Sequence, residues 1–564
     1  MKNLLESLMS ISKPPAKDRA EWLSSAENSI GFLKRHTRSE RLVLFVSAPA
    51  VLIHAALAPL DALAPPDQAD LNHDFVAPDD RWSIEHVSGG GEPDRVYLAP
   101  PMSHRSKSLS QGEKLVFLRS AAWSSETPIE ISQKLVHSLD LHFVGERNAY
   151  CRLNDNGDLE DVINVAEIAG ENWTEGITIV SILAKDFAEY MCLAGMGMVV
   201  FFDFTRVPTS FNGWSGQKLF EHNGRDLFYH GGVVAGHGSY VNGRMVVRPS
   251  VTIEEIVEAH KNARDPLQRR YAVFKAIDLK TSERIEVSCS PAALSNYFQP
   301  MSDLPLEMSP AFFRGEVLHR YKADPDKYEL RDRSIYCRGT WSLRTYDIND
   351  AQQVHTYLRY LSELPYNEQL YWQYFNEWPK ASLSRRAVTT DFKGEIFTGY
   401  DALNSLKRKI KTLDERHPAW WQARGHELAK GVHYPATTSS SEWADEILAL
   451  DQLVVEGFRV KELRHLAQKL GRKTDKDWKS LKLLEECLVG SGMDADESKQ
   501  ATSALRELHE MRSFVTGHSA AGKRRELEKR AVAGFGSFRA HFTDLAARCD
   551  RSLQEIVTRI AEVT

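Results

Sequence analysis

The chain has 564 residues, of which 26% are charged and 42% apolar, with a formal net charge of −6. This composition fits an ordinary globular chain of several domains with enough length for real cores. The acidic balance excludes a wholesale polyanion binder, so any nucleic-acid contact has to come from a local basic patch. The six cysteines, Cys151, Cys192, Cys289, Cys337, Cys487 and Cys549, form no CxxC pair, so no zinc framework or other metal site is expected, and reduced thiols in a cytoplasm are.

The first thirty residues are rich in charge and lack an apolar block, so no signal peptide is expected. Residues 15–36 read as an amphipathic opening helix with Leu23, Ala26, Ile30 and Leu33 inward. Leu42 to Leu60 carries no formal charge and is just long enough to span a bilayer. Ser47, Pro49, His54 and Pro59 interrupt it, and it divides into a β-rich half, a turn at Ala48-Pro49 and a short helix, so a buried strand and helix are expected and no membrane contact.

Further on, Tyr150 to Leu153 and Leu159 to Val165 flank the turn Asn154-Asp155-Asn156-Gly157-Asp158, the pattern of a β-hairpin. Read as a calcium loop, the same turn would put Ile163 where a carboxylate is required. Val180 to Ala194 reads as a helix and Met196 to Phe204 as a strand. Gly231 to Ser239 resembles a phosphate loop only superficially, because it lacks the Gly-Lys-Ser/Thr ending, and tight β-turns are expected there. Ile253 to Ala263 reads as a helix, and Tyr271 to Asp278 with Arg284 to Ser288 as a strand pair.

Residues 354–376 crowd Tyr357, Tyr360, Tyr366, Tyr371, Trp372, Tyr374 and Phe375 together, near Arg359, Arg385 and Arg386. An aromatic domain interface is expected; the alternative is a base-stacking surface. Leu406 to Lys411 is a basic run read as a solvated helix face, and His433 to Ser441 reads as a linker. The fold expected is α+β. Residues 1–300 form an α+β sensor or binding region, 301–432 an aromatic-rich mixed region and 433–441 the linker, and 442–564 an all-α bundle.

Four helices are expected in that bundle. The first runs from Trp443 to Leu470, starts on a Ser439 cap with Glu442 three residues on, and ends before Gly471. The second runs from Trp478 to Leu488, and the third is capped near Asp494 or Asp496. The fourth runs from Leu527 to Ile560, with a kink at Gly534 or Gly536. On the third, Leu505, Leu508, Met511 and Val515 make one apolar stripe, with Arg512 and His518 at its two borders. On a straight helix turning about 100° per residue these two lie about 120° apart. A shared site therefore needs a break at Gly517 or a second chain. A guanidinium at such a border requires an acceptor in a neighbouring helix, a second subunit or a bound anion.

Arg512, a polar Ser513, a short spacer and His518, carried on a helix of a terminal bundle, resemble the HEPN domain, in particular Apea-like HEPN domains. The resemblance covers roughly residues 440–564 and has five residues between Arg and His. Ser513 departs from the Asn, Asp or His that nuclease members more often carry. The resemblance implies a metal-independent endoribonuclease, without cofactor, whose dimer joins Arg512 and His518 of both chains in one cleft. His518 would move the ribose 2′-OH or leaving-group proton, and Arg512 would neutralise the phosphorane, leaving a 2′,3′-cyclic phosphate or its hydrolysis product. Ser513 would orient substrate, and Lys523, Arg524 and Arg525 would hold RNA phosphates. His509 reads either as an accessory acid or as a plain surface residue. The partners expected are RNA, tRNA among the candidates, a second copy bound through the C-terminal bundle, and a trigger of unknown chemistry at the N-terminal region. Proteins of this layout resemble toxins and antiphage-defence effectors. The alternative is a catalytically inactive HEPN-like protein whose bundle acts as a dimerising binding or scaffold module.

Overall fold

A computed structural model describes the chain apart from residues 1–3, 5, 9–10, 12–18, 65–70, 73, 75, 90–92, 103–104, 120–127, 169–175, 208–218, 235–237, 300, 517–520 and 562–564. The chain divides into two compact units, Met1–Asn154 with Asp158–Arg269, and Asp155–Gly157 with Arg270–Thr564. The division falls at Arg269 rather than at 300, and none falls at the expected linker 433–441.

The first unit is built on an antiparallel sheet. Its strands are β1 (Arg41–Ala48), β2 (Val51–Pro59), β3 (His142–Val144), β4 (Ala149–Leu153), β5 (Leu159–Ile168), β6 (Ile177–Leu183), β7 (Met196–Arg206), β8 (Leu219–Asn223), β9 (Leu227–Val234) and β10 (Gly238–Val247). They lie in the order β8-β9-β10-β7-β2-β1-β6-β5-β4-β3, and the short strand Glu113–Lys114 also pairs with β2. Helices α1 (Glu27–His36), α2 (Ala184–Ala194) and α3 (Ile253–Arg264) accompany it, α3 opening on a capping box between Thr252 and Glu255.

The expected helix after Pro49 is the strand β2. Ala50, with φ 63°, turns the chain back on itself, and Phe45 pairs with His54. On β2, Ile53, Ala55 and Leu57 enter one core while Ala56 and Ala58 enter another; on β7, Met198, Val200 and Phe202 share the first and Val199 and Phe201 the second. Burial on both faces erases the period-two alternation that would have marked a strand. His54 is a core histidine held between two carbonyls, with Nδ1 2.9 Å from that of Val76 and Nε2 3.2 Å from that of Val116, of which the neutral ring donates to one. Burial and the nearby Lys114 charge push its pKa down to about 4.

The expected hairpin is present: Leu153 pairs with Leu159, and the turn carries Gly157 at φ 75°. The expected helix 180–194 begins only at Ala184, because Ile177–Leu183 continues the sheet. Val234 pairs with Gly238, while 235–237 of the expected turns lie outside the described residues. Among the described residues no helix is long and apolar enough to cross a membrane, and all six cysteines are free.

In the second unit, β11 (Val273–Ile277), β12 (Arg284–Ser288), β13 (Pro310–Phe313), β14 (Asp347–Ile348) and β15 (Val354–Tyr357) form a sheet in the order β12-β11-β13-β15-β14. Helix α4 (Tyr366–Phe375) supplies its core with Trp372, whose indole donates to the Tyr321 hydroxyl at 2.7 Å. That hydroxyl donates in turn to the buried Glu368 at 2.8 Å, and Arg320 balances the carboxylate. The aromatic cluster thus fills the interior of its own unit rather than a domain interface, although Tyr374 stays exposed.

Helix α5 (Ala402–Arg416) contains the basic run. Leu406 and Ile410 face inward, and Lys409 pairs at 2.7 Å with the buried Asp550, so the run is partly packed and not simply solvated. After the short helix Gly425–Gly431, six longer helices follow: α6 (Ser440–Val454), α7 (Val460–Lys469), α8 (Ser480–Gly490), α9 (Ala495–Thr516), α10 (Ala521–Phe535) and α11 (Phe538–Ala561). The first expected helix is broken at Val455–Gly457, where a Cβ on Gly457 would stand 2.3 Å from the Trp421 ring. The fourth breaks at Gly536, φ 79°, and restarts on a Ser537 cap. Residues 402–413 share one apolar core with the later helices. The stretch read as a linker is tied down, since His433 donates its backbone N–H to Glu446 and Ala436 and Thr437 donate theirs to Glu442.

Candidate functional site

Helix α9 is held by ion pairs on both sides. Glu485 of α8 accepts from Thr502 at 3.0 Å and from Arg506, while Glu507 of α9 pairs with Arg548 of α11. On the remaining side, Asp451 of α6 is 0% exposed and accepts twice. His509 Nδ1 lies 3.1 Å from its Oδ1, and Arg512 Nη1 lies 2.9 Å from its Oδ2. His509 and Arg512 are three apart and so share a face of the helix. They reach the surface from this buried anchor, 48% and 29% exposed.

Burial pushes the Asp451 carboxyl above its ordinary range, and the adjoining His509 and Arg512 hold it down. With Asp451 ionised, Nδ1–H of His509 donates to it. The other ring nitrogen, Nε2, is then the basic one and is engaged by none of the described residues. Arg512 Nη1 also meets Glu456 Oε1 at 2.7 Å, so two carboxylates of its own chain share the guanidinium.

Of the residues expected to carry chemistry, His518 lies outside the described residues, with the break expected at Gly517. Ser513 Oγ donates to the His509 carbonyl one turn back, at 3.2 Å, which spends its proton on the helix. On α10, Lys523 Nζ sits 4.8 Å from the Phe514 ring centroid and Arg524 pairs with Glu528 at 3.0 Å. Arg525 is exposed. Arg512 and His509 are therefore joined through Asp451, whereas Ser513 and Arg524 are turned to local partners.

Asp451 and Glu456 carry no motif and escape a search by spacing. Asp451 does leave one signal, because it sits with Ile447 and Val454 on the inward stripe of α6, where an ionised carboxylate demands a cation. Among the described residues no group of three or more His, Cys, Asp or Glu side chains is arranged to hold a metal ion. Compared with family models, curated proteins and solved structures, the chain matches none.

Proposed function

We propose that the C-terminal helices form a HEPN-like, metal-independent endoribonuclease that works as a homodimer, with Arg512 and His518 as its catalytic residues, and that the chain is an effector of a toxin or antiphage-defence system regulated by its N-terminal region. The observation that supports this is the buried Asp451, which orients a guanidinium and an imidazole side by side at the surface. Arg512 would supply charge for a phosphorane, and His509, held by Asp451 beside it, would face the same substrate as the catalytic His518. Lys523 and Arg525 of the next helix are exposed and available to RNA phosphates.

A second reading has its own support. Arg512 is shared between Asp451 and Glu456, which suits a catalytically inactive bundle that serves as a dimerising scaffold. Incubation of wild type, Arg512→Lys, His509→Ala and His518→Ala with total tRNA in EDTA, followed by mapping of fragment ends, separates the two. Cleavage with cyclic-phosphate ends, lost in Arg512→Lys and His518→Ala, is the expected result. An inert wild type that dimerises as its variants do would assign the bundle to assembly.

A further inference from the structure

The second unit holds a cavity of about 1490 Å³ lined by β14, residues 394–401, helix α5, residues 425–436 and the start of α11. Its mouth is mixed in charge, since Lys411 pairs with Glu415 and Lys430 with Glu329, and Glu395 is exposed. Three of its inner cations are spent inside the protein, Arg386 on Asp347, Arg333 on Asp391 and Lys322 on Glu442. Lys407 of α5 and Arg539 of α11 differ from these. Lys407 Nζ donates to the Val432 carbonyl at 2.6 Å, and Arg539 Nη1 donates to the Pro435 carbonyl at 3.2 Å with its guanidinium 4.9 Å from the Tyr434 ring centroid. These partners are neutral, and among the described residues neither cation has a carboxylate within ion-pair distance. Most donors of the ammonium and the guanidinium are left over, on side chains that line the cavity.

Both cations are half-buried, and burial holds each below its ordinary pKa range. A charge in that position costs stability until something negative joins it. The two carbonyls that anchor them stand three residues apart on one strip of backbone, a separation of up to about 10 Å. That spacing suits a chain of phosphates better than a single carboxylate. Just beyond the π-helical turn Val388–Phe392, the chain brings Phe397 and Tyr400 to the same cavity. The Tyr400 hydroxyl donates to Asp550 at 2.8 Å while 61% of the residue is exposed, so the ring is held out as a fixed platform.

We infer that this cavity binds a nucleoside di- or triphosphate, its phosphates bridging Lys407 and Arg539 and its base lying against Phe397 and Tyr400. Ordinary ligand pockets span about 300–1,000 Å³, so such a ligand fits with part of the mouth left to water. A nucleic-acid strand would instead need cations along the mouth, where the charges cancel.

Calorimetry on the full chain with ATP, adenosine and citrate, without divalent cations, tests this in wild type, K407M and R539M. Met keeps an apolar stem and removes the charge. Because neither cation holds a carboxylate, the unfolding temperature of each variant should stay within about 2 °C of wild type or rise. ATP is expected to bind saturably and adenosine not to bind, with each variant weakening ATP about tenfold or more. Should R539M fold poorly, K407M decides the matter alone, since it leaves α11 untouched. Four results would overturn the assignment: no binding of ATP at about 1 mM, binding that K407M leaves unchanged, citrate binding as tightly as ATP, or a K407M unfolding temperature lower by more than about 5 °C, which would give the lysine a role in the fold.

Discussion

Replacing Arg512 with Ala removes the cation next to a carboxylate that has no access to water. At 2.9 Å and an effective dielectric of about 20, the gross attraction is about 6 kcal/mol. Most of it is cancelled by the desolvation of both groups and by the partial exposure of the guanidinium. A net loss of about 1.5–3 kcal/mol remains, the range for hydrogen bonds to charged groups. For a domain of this size that lowers the unfolding temperature by about 3–10 °C. The loss should depend on pH with a definite sign. Burial already raises the Asp451 pKa above its unfolded value, and without Arg512 it rises further. The folded variant then keeps its proton to higher pH than the unfolded chain does, so it is favoured at the acid end and loses stability as pH climbs through the raised value. Thermal unfolding of wild type, Arg512→Ala and Asp451→Asn/Arg512→Ala between pH 4 and 7 measures this. The gap between wild type and the single variant should widen with pH, and the double variant should close part of it. An equal gap at both ends would mean that Asp451 is not the group Arg512 stabilises.

The other predictions concern the cores of the two units, each taken by itself. His54 in the first unit and His355 in the second are both pushed down to about 4 by burial. The unfolded chain therefore takes up protons first, and each unit loses up to about 3 kcal/mol as pH falls from 6.5 towards 4; a His54→Gln variant should show a flatter acid limb in a pH series of denaturant titrations. Trp443 is fully buried, stacks on Phe538 at 5.1 Å and donates to His541. Trp443→Ala should cost about 3–5 kcal/mol in urea unfolding, and a cost below about 1 kcal/mol would contradict the packing of α6 on α11. Gly457→Ala places a methyl group against the Trp421 ring and should cost about 1–3 kcal/mol through overpacking, read from the same titrations.

Legibility in the sequence followed physical rules that differ from place to place. The hairpin at Asn154–Asp158 and the helix opened by Thr252 are written in local turn and cap chemistry. Strand β2 was hidden by burial on both faces, and the break at Gly457 is imposed by Trp421, a neighbour that no local pattern reveals. At the candidate site, Arg512 was legible as a cation in need of an acceptor, and Asp451 answers that need. His509 was left between two roles because its position depends on Asp451, contributed by a different helix.

The two-faced strands at the centre of the first unit also bear on how the chain is made. Pro59 at the end of β2 pairs with Met196 at the start of β7, so the innermost hairpin leaves the ribosome long before the strand that covers its open edge. Until β6 and β7 are synthesised, β1 and β2 present an apolar ribbon, charged only at Arg41, with unpaired backbone along both edges, the kind of surface that invites aggregation. A nascent chain that ends between residues 60 and 176 exposes both edges of this hairpin, and one that ends before residue 196 still exposes the edge that β7 covers.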